Sequence, residues 1–462
     1  MSAPNSPVPT SEVRPRPGDV LETQYGPLRI FAWAALVGTG SGLVGALFRI
    51  LISNFGITRM ASLAFAKTHS ALSLALSVGS TALLTSGALF LVRRFAPEAG
   101  GSGVQEIEGS LEGLRALRWQ RVLPVKFVGG LLALGGGLVL GREGPTIQMG
   151  GNLGKMIADC GDLPLPVERT LVAAGAGAGL AAAFNAPLSG ILLVLEEMRP
   201  QFKYTFTSVQ AVVIACGMAD IAVRVLTGQG PAISILTFSA PPLASLWLFP
   251  IFGAVFGVLG LVFSRSLVWS LDRFASLTGC SARASAPLVG AMVGLLAWLS
   301  PAAVGGGDEL IPMVLATPMA ASALLLLFGA RFGTGLLSYG CGAPGGIFAP
   351  MLALGTLFGM AYGQVGHALF PALISDPGVF AVAGMGALFT ATVRAPITGI
   401  ALGMEITANY EQILPLLLTC AAATIVAELL GARPIYSVLL ERTLERTNAR
   451  GEPLPTRRRS PG

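Results

Sequence analysis

Apolar runs recur along most of the chain, near residues 30–52, 71–95, 121–140, 168–195, 209–227, 244–264, 286–300, 321–338, 345–372, 378–403 and 413–432. Several reach the roughly 20 residues that a helix needs to cross the hydrocarbon core, while others are short or cut by glycine and proline. This pattern predicts an all-α polytopic membrane protein. The polar ends stand apart from it: an N-terminal arm over 1–28, Pro-rich as far as Gly26, and a basic tail over 441–462.

Composition sharpens the picture. Of 462 residues, 53% are hydrophobic and 12% charged, with a mean hydropathy of +0.71; a soluble domain carries roughly 25% charged residues. The 60 glycines and 31 prolines fall within apolar segments, so they predict close helix packing and interrupted helices instead of disorder. The N-terminal arm has no apolar core and does not read as a cleavable signal. Arg14 and Arg16 precede the first run, and Arg442, Arg446, Arg450 and Arg457-Arg458-Arg459 follow the last. The positive-inside tendency then puts both termini in the cytoplasm and makes the number of crossings even. The net charge of +6 comes partly from these ends; it reads as solvated arms near an anionic leaflet of the inner (plasma) membrane, not as a nucleic-acid surface.

Cys160, Cys216, Cys280, Cys341 and Cys420 are scattered and form no CxxC, and His69 and His367 are the only histidines. No disulfide frame, metal site or cofactor is expected. An enzyme would need a nucleophile with its base, an aspartate pair or a metal set, and the chain offers none of these constellations.

The second half echoes the first. Gly141-Arg142-Glu143-Gly144-Pro145 aligns with Gly346-Ile347-Phe348-Ala349-Pro350, 205 residues on, and the same offset carries Gly150 to Gly355 and Gly154 to Gly359. Gly101-Ser102-Gly103 meets Gly305-Gly306-Gly307 at offset 204, and Ala186-Pro187-Leu188-Ser189-Gly190-Ile191 meets Ala395-Pro396-Ile397-Thr398-Gly399-Ile400 at offset 209, where Glu196 also meets Glu405. Four anchors in one order predict two transmembrane repeats, over 29–230 and 231–440. Such repeats place a substrate near mid-membrane, between interrupted helices, when they are inverted; the sequence leaves parallel and inverted arrangements open.

The broken-helix signals suit a small anion. A full cation would hold a desolvated halide too tightly to release it, whereas free amides at helix N-termini and neutral hydroxyls bind and let go. Gly101-Ser102-Gly103 offers a hydroxyl in a glycine-bracketed turn, and Ile347 and Phe348 offer only amides. Pro145 suits a first helical turn, which puts Glu143 at the mouth of that helix. A carboxylate there is either a capping acid satisfied by amides, or a gate that blocks the anion cradle when ionised and leaves it when protonated. Glu196-Glu197 closes an apolar run, either as an interfacial helix end partnered by Arg199 or as a proton acceptor. Glu405 reads as a structural buried acid. Tyr436 reads as an interfacial anchor or an anion donor, and Lys126 as a paired or snorkelling cation.

Taken together, Gly101-Ser102-Gly103 with Glu106-Ile107-Glu108-Gly109, the Gly-Arg-Glu-Gly-Pro pentapeptide, Phe184-Asn185-Ala186-Pro187-Leu188-Ser189-Gly190 with Glu196-Glu197, Gly346-Ile347-Phe348-Ala349-Pro350 and Tyr436 resemble the CLC family of chloride channels and chloride/proton antiporters, in its prokaryotic exchanger branch. The likeness runs from about residue 30 to about residue 445. It implies two inverted-topology repeats of tilted and broken helices, and a homodimer with one anion pathway per subunit. By motif position, Ser102 and Tyr436 would give hydroxyls to chloride, and Ile347 and Phe348 their amides. Glu143 would be the external gate and Glu197 the internal proton-transfer acid. Chloride and protons would be the partners, with no regulatory domain on the short tail. A passive chloride channel of the same fold is the alternative, which Glu197 counts against. Gln105 stands where close relatives often have proline, and Asp308-Glu309 makes the Gly305-Gly306-Gly307 turn more acidic than in relatives.

Overall fold

Proline, glycine and buried cations decide how the apolar runs become helices. The computed structural model describes residues 26–65, 70–198, 204–233 and 238–449. Within them the first half folds as α1 (Pro27–Phe65), α2 (Ser70–Phe95), α3 (Val104–Leu111), α4 (Trp119–Gly135), α5 (Glu143–Cys160), α6 (Leu165–Phe184), α7 (Pro187–Glu196) and α8 (Phe206–Thr227). The second half gives α9 (Leu248–Ala275), α10 (Gly279–Leu299), α11 (Leu310–Ala316), α12 (Ala321–Gly340), α13 (Phe348–Leu369), α14 (Gly378–Val393), α15 (Pro396–Thr407) and α16 (Ile413–Leu429), and α17 (Ile435–Ala449) follows. Among the described residues, eight helices are long and apolar enough to cross a membrane. Arg14, Arg16, His69, Arg199, Arg450 and Arg457-Arg458-Arg459 lie outside the described residues.

Two apolar runs that read as single stretches are each two helices. The run near 168–195 breaks between α6 and α7, and that near 378–403 between α14 and α15. The cause is the Ala-Pro step in both: proline cannot continue the preceding helix and biases the residue before it towards extended backbone. Each upstream helix ends on a left-handed residue, Asn185 at φ 52° and Arg394 at φ 72°. That conformation costs a non-glycine residue about 1 kcal/mol, and side-chain bonds offset it. Arg49 Nη1 donates to Asn185 Oδ1 at 3.1 Å, and Arg394 Nη1 donates to Thr424 O at 2.9 Å.

The helices obey an internal two-fold. In the first half α5 packs on α6 and α1 on α8; in the second, α13 packs on α14 and α9 on α16. Between halves, counterpart meets counterpart: α2 lies on α10 and α7 on α15. A two-fold axis requires such self-complementary contact, and the hydrogen bonds repeat it atom for atom. Glu196, at the end of α7, accepts from the Ile397 and Thr398 amides at the start of α15, at 3.1 and 2.8 Å. Glu405, near the end of α15, accepts from the Leu188 and Ser189 amides at the start of α7, at 2.9 and 2.7 Å. Carboxylates at helix N-termini satisfy orphan amides and the helix dipole. Because α7 and α15 meet end to opposite end, the copies are inverted, which resolves what the sequence leaves open. Glu196 therefore caps a helix, and Glu405 is the structural acid expected of it.

Close packing follows the same rule. Gly150 faces Gly175 and Gly355 faces Gly384 so tightly that a Cβ on any of them would strike the partner's backbone carbonyl. Small residues let membrane helices approach in this way where no hydrophobic force drives them together.

Candidate functional site

Four helices begin at one place near the internal axis. Ser102 precedes α3, Glu143 opens α5, Phe348 opens α13, and Tyr436 lies in the first turn of α17. Helix N-termini present unpaired amides and the positive end of the dipole, so their convergence makes a site for negative charge. The two pentapeptides pair across the axis. Gly141 N donates to Gly346 O at 2.8 Å and Gly346 N to Gly141 O at 2.7 Å, a short antiparallel bridge.

That bridge delivers Glu143 to the opposite repeat. Its Oε1 accepts from the Phe348 amide at 2.7 Å, and the Ala349 amide lies against the same carboxyl. Space for it exists because residue 346 is glycine: a Cβ there would stand 2.7 Å from Gly144 N and 2.9 Å from the Glu143 carboxyl carbon. Both sequence readings of Glu143 therefore meet in one contact. The carboxylate caps α13, and the amide it caps is one expected to hold the anion. Ile347 is the residue before α13, 2% exposed, and its amide opens the same helix end.

Ser102, Glu143 and Tyr436 are all 0% exposed. Ser102 Oγ, Tyr436 Oη and Glu143 Oε2 nevertheless have no hydrogen-bond partner among the described residues. An orphaned buried polar atom costs about 1–3 kcal/mol, and the two hydroxyls, from separate chain segments, could each be satisfied by donating to an anion. The three surround a common point. A Cβ on Gly144 would lie 2.6 Å from Ser102 Oγ, the Tyr436 hydroxyl neighbours that of Ser102 and feels the Glu143 charge, and the Phe348 and Tyr436 ring centroids are 5.8 Å apart. Tyr436 is thus a buried hydroxyl and not an interfacial anchor; the apolar packing of α17 draws it inward.

Other groups hold this arrangement in place. Lys126 is fully buried and does not snorkel; its Nζ donates to Ala99 O at 3.0 Å and Gly101 O at 2.6 Å, fixing the turn that carries Ser102. Arg331, its counterpart in the second repeat, donates to Ala302 O and Val304 O, both at 2.8 Å, and to Gly305 O at 2.6 Å. Arg142 of the pentapeptide pairs with Asp308 at 3.2 Å, which accounts for one acid of that unusual turn. Gln105 occupies the first turn of α3, and the turn closes without proline, Glu106 N donating to Gly103 O at 3.2 Å.

Glu197 is the C-terminal cap of α7 and is partly exposed. Glu108 feels its charge, as does Tyr436. Glu108 is 2% exposed and its Oε1 is unpartnered. The spacing of Glu106 and Glu108 on a short helix could have flagged it. Glu106 turns to Arg115 at 2.8 Å, and Glu108, on the other side of α3, turns inward. Beside α3 and α17 lies a cavity of about 690 Å³, lined by Arg93, Arg115, Arg121, Arg442 and Arg446 among others.

Comparison with known proteins gives one consistent answer. A family model described as "Voltage gated chloride channel" matches residues 83–428. The chain is 50% identical over 434 residues to the H(+)/Cl(-) exchange transporter ClcA of Vibrio parahaemolyticus, covering 93% of each. It is 47% identical over 445 residues to the ClcA of Klebsiella pneumoniae, covering 95% of this chain and 94% of that one. Among solved structures, that of a slow cyanobacterial Cl-/H+ antiporter superposes with a TM-score of 0.88 at 43% identity, covering 91% of this chain and 99% of the other.

Proposed function

The chain belongs to the voltage-gated chloride channel family, and from that premise we propose that it is a secondary active transporter that exchanges chloride for protons. The observation that carries the mechanism is the 2.7 Å bond from the Phe348 amide to Glu143 Oε1. Ionised, the carboxylate holds the amide at which chloride would bind. Two unit negative charges about 4 Å apart repel by roughly 4 kcal/mol at an effective dielectric of 20, close to a thousandfold in occupancy. Chloride and ionised Glu143 therefore exclude one another. Protonated, the side chain loses its charge and most of its claim on the amide, and chloride takes the place.

Chloride entry thus requires a protonated Glu143, and loss of that proton restores the block. Ser102 and Tyr436 donate hydroxyls and the Ile347 and Phe348 amides complete the cradle; all are neutral, so binding stays weak enough for release. Glu197, whose charge Tyr436 also feels, serves as the second proton station, with the charge contact to Glu108 beside it. No covalent step is needed. The inner (plasma) membrane as location, cytoplasmic termini and a homodimer with one pathway per subunit belong to the same reading, as do two repeats divided near residue 230.

Purified protein in liposomes with an outward chloride gradient should drive protons against their own gradient. Chloride flux with no accompanying proton movement would assign the chain to the passive channels instead.

A further inference from the structure

Tyr339 has no role in the exchange cycle described above, yet it touches the anion site. It lies in the last turn of α12 and is 2% exposed. Its hydroxyl accepts the Ser102 amide hydrogen at 3.3 Å. The turn holds it closely, since a Cβ on Gly101 would stand 3.3 Å from Tyr339 Oη. On one side Tyr436 feels Tyr339 electrostatically. On the other, Tyr339 and Gly101 help to line the arginine-rich cavity. The hydroxyl therefore stands between that cavity and the Ser102–Tyr436 pair.

We propose that Tyr339 is an inner latch on the anion path. It occupies the Ser102 amide and must yield it whenever an anion passes between the cavity and the central hydroxyls. This rests on the exchange reading given above. The lining carries more arginines than acids, which favours anions in the cavity, and Gly101 of that lining is followed directly by Ser102, whose amide is a donor. An anion can use that amide only after the phenol oxygen leaves it. A tyrosine suits the task because its hydroxyl oxygen accepts from an amide. Phenylalanine would fill the same space without holding the amide.

The latch differs from the Glu143 gate in kind. It carries no charge change and takes up no proton, so it governs the rate of anion passage and leaves the exchange ratio alone. One neutral hydrogen bond corresponds to roughly a three- to tenfold change in rate.

Wild type and Tyr339→Phe are compared in liposomes for chloride turnover and chloride-to-proton ratio, and in detergent for chloride affinity by calorimetry. The variant should turn over roughly three- to tenfold faster, with the ratio unchanged and chloride bound more tightly, because the Ser102 amide is free. Tyr339→Leu, which also removes the ring, serves as second variant and should be at least as fast as wild type. Turnover and affinity equal to wild type in the folded variants, or a slower variant with an altered ratio, would overturn the latch while leaving exchange itself standing. A wild-type protein that moves chloride without protons would instead overturn the exchange reading, and the latch with it.

Discussion

Glu143→Ala should reduce proton movement to the level of protein-free liposomes while chloride continues to cross. Proton transport needs a titrating group that meets the anion's own position. Among the described residues, Glu143 is the acid bonded to the Phe348 amide, through Oε1. Alanine removes both the block and the proton carrier, so chloride reaches the α13 terminus at any pH. The acid-dependence of chloride flux should flatten at the same time. Glu143→Gln should behave alike, because a neutral amide side chain mimics the protonated acid. A plain capping acid predicts something else: loss of the cap would destabilise α13 and impair both ions together. Parallel flux assays for chloride and protons on each variant separate the two outcomes, and retained uphill proton movement in Glu143→Ala would remove the gate.

The second large effect concerns a residue that never meets the ion. Lys126→Met should lower stability by about 2–5 kcal/mol, since two buried carbonyls lose their donor. Those carbonyls, Ala99 O and Gly101 O, lie on the turn that aims Ser102. Methionine keeps the length of the side chain and little else. The purified variant should melt at a distinctly lower temperature in detergent and bind chloride more weakly, as the turn loosens. Arg331→Met, its counterpart, should destabilise by a similar amount through Ala302, Val304 and Gly305 with less effect on chloride, because the loop it holds carries no hydroxyl. Unchanged melting of Lys126→Met would show that water replaces the lysine, and that the turn holds its shape unaided.

Much of this is legible in the sequence alone. Runs of membrane length gave the helices, and the spaced Gly and Pro motifs gave the repeat, because broken helices need those residues wherever backbone must be freed for an ion. Ser102, Glu143 and Phe348 could be singled out for the same reason. The unreadable part is made of relations across the internal axis. No local pattern says that Glu196 caps Thr398 while Glu405 caps Ser189, although their shared offset of 209 residues contains the hint. Lys126 and Arg331 likewise share the offset of the pentapeptides, but each is only a lone cation in an apolar run until its carbonyls are seen. Tyr436 looks interfacial because it follows the last apolar run, and only the packing of α17 shows it buried. Tyr339 carries no motif; its place beside Ser102, 237 residues away in sequence, exists in three dimensions alone.

The central claim is that halide and ionised Glu143 contend for one amide, and bromide locates the halide directly through its anomalous scattering. In Glu143→Ala crystals soaked in bromide, a peak should lie at the Phe348 amide, where Glu143 Oε1 sits in the native chain. A second should lie between Ser102 Oγ and Tyr436 Oη. A bromide map of that variant with no peak at the Phe348 amide would contradict the account.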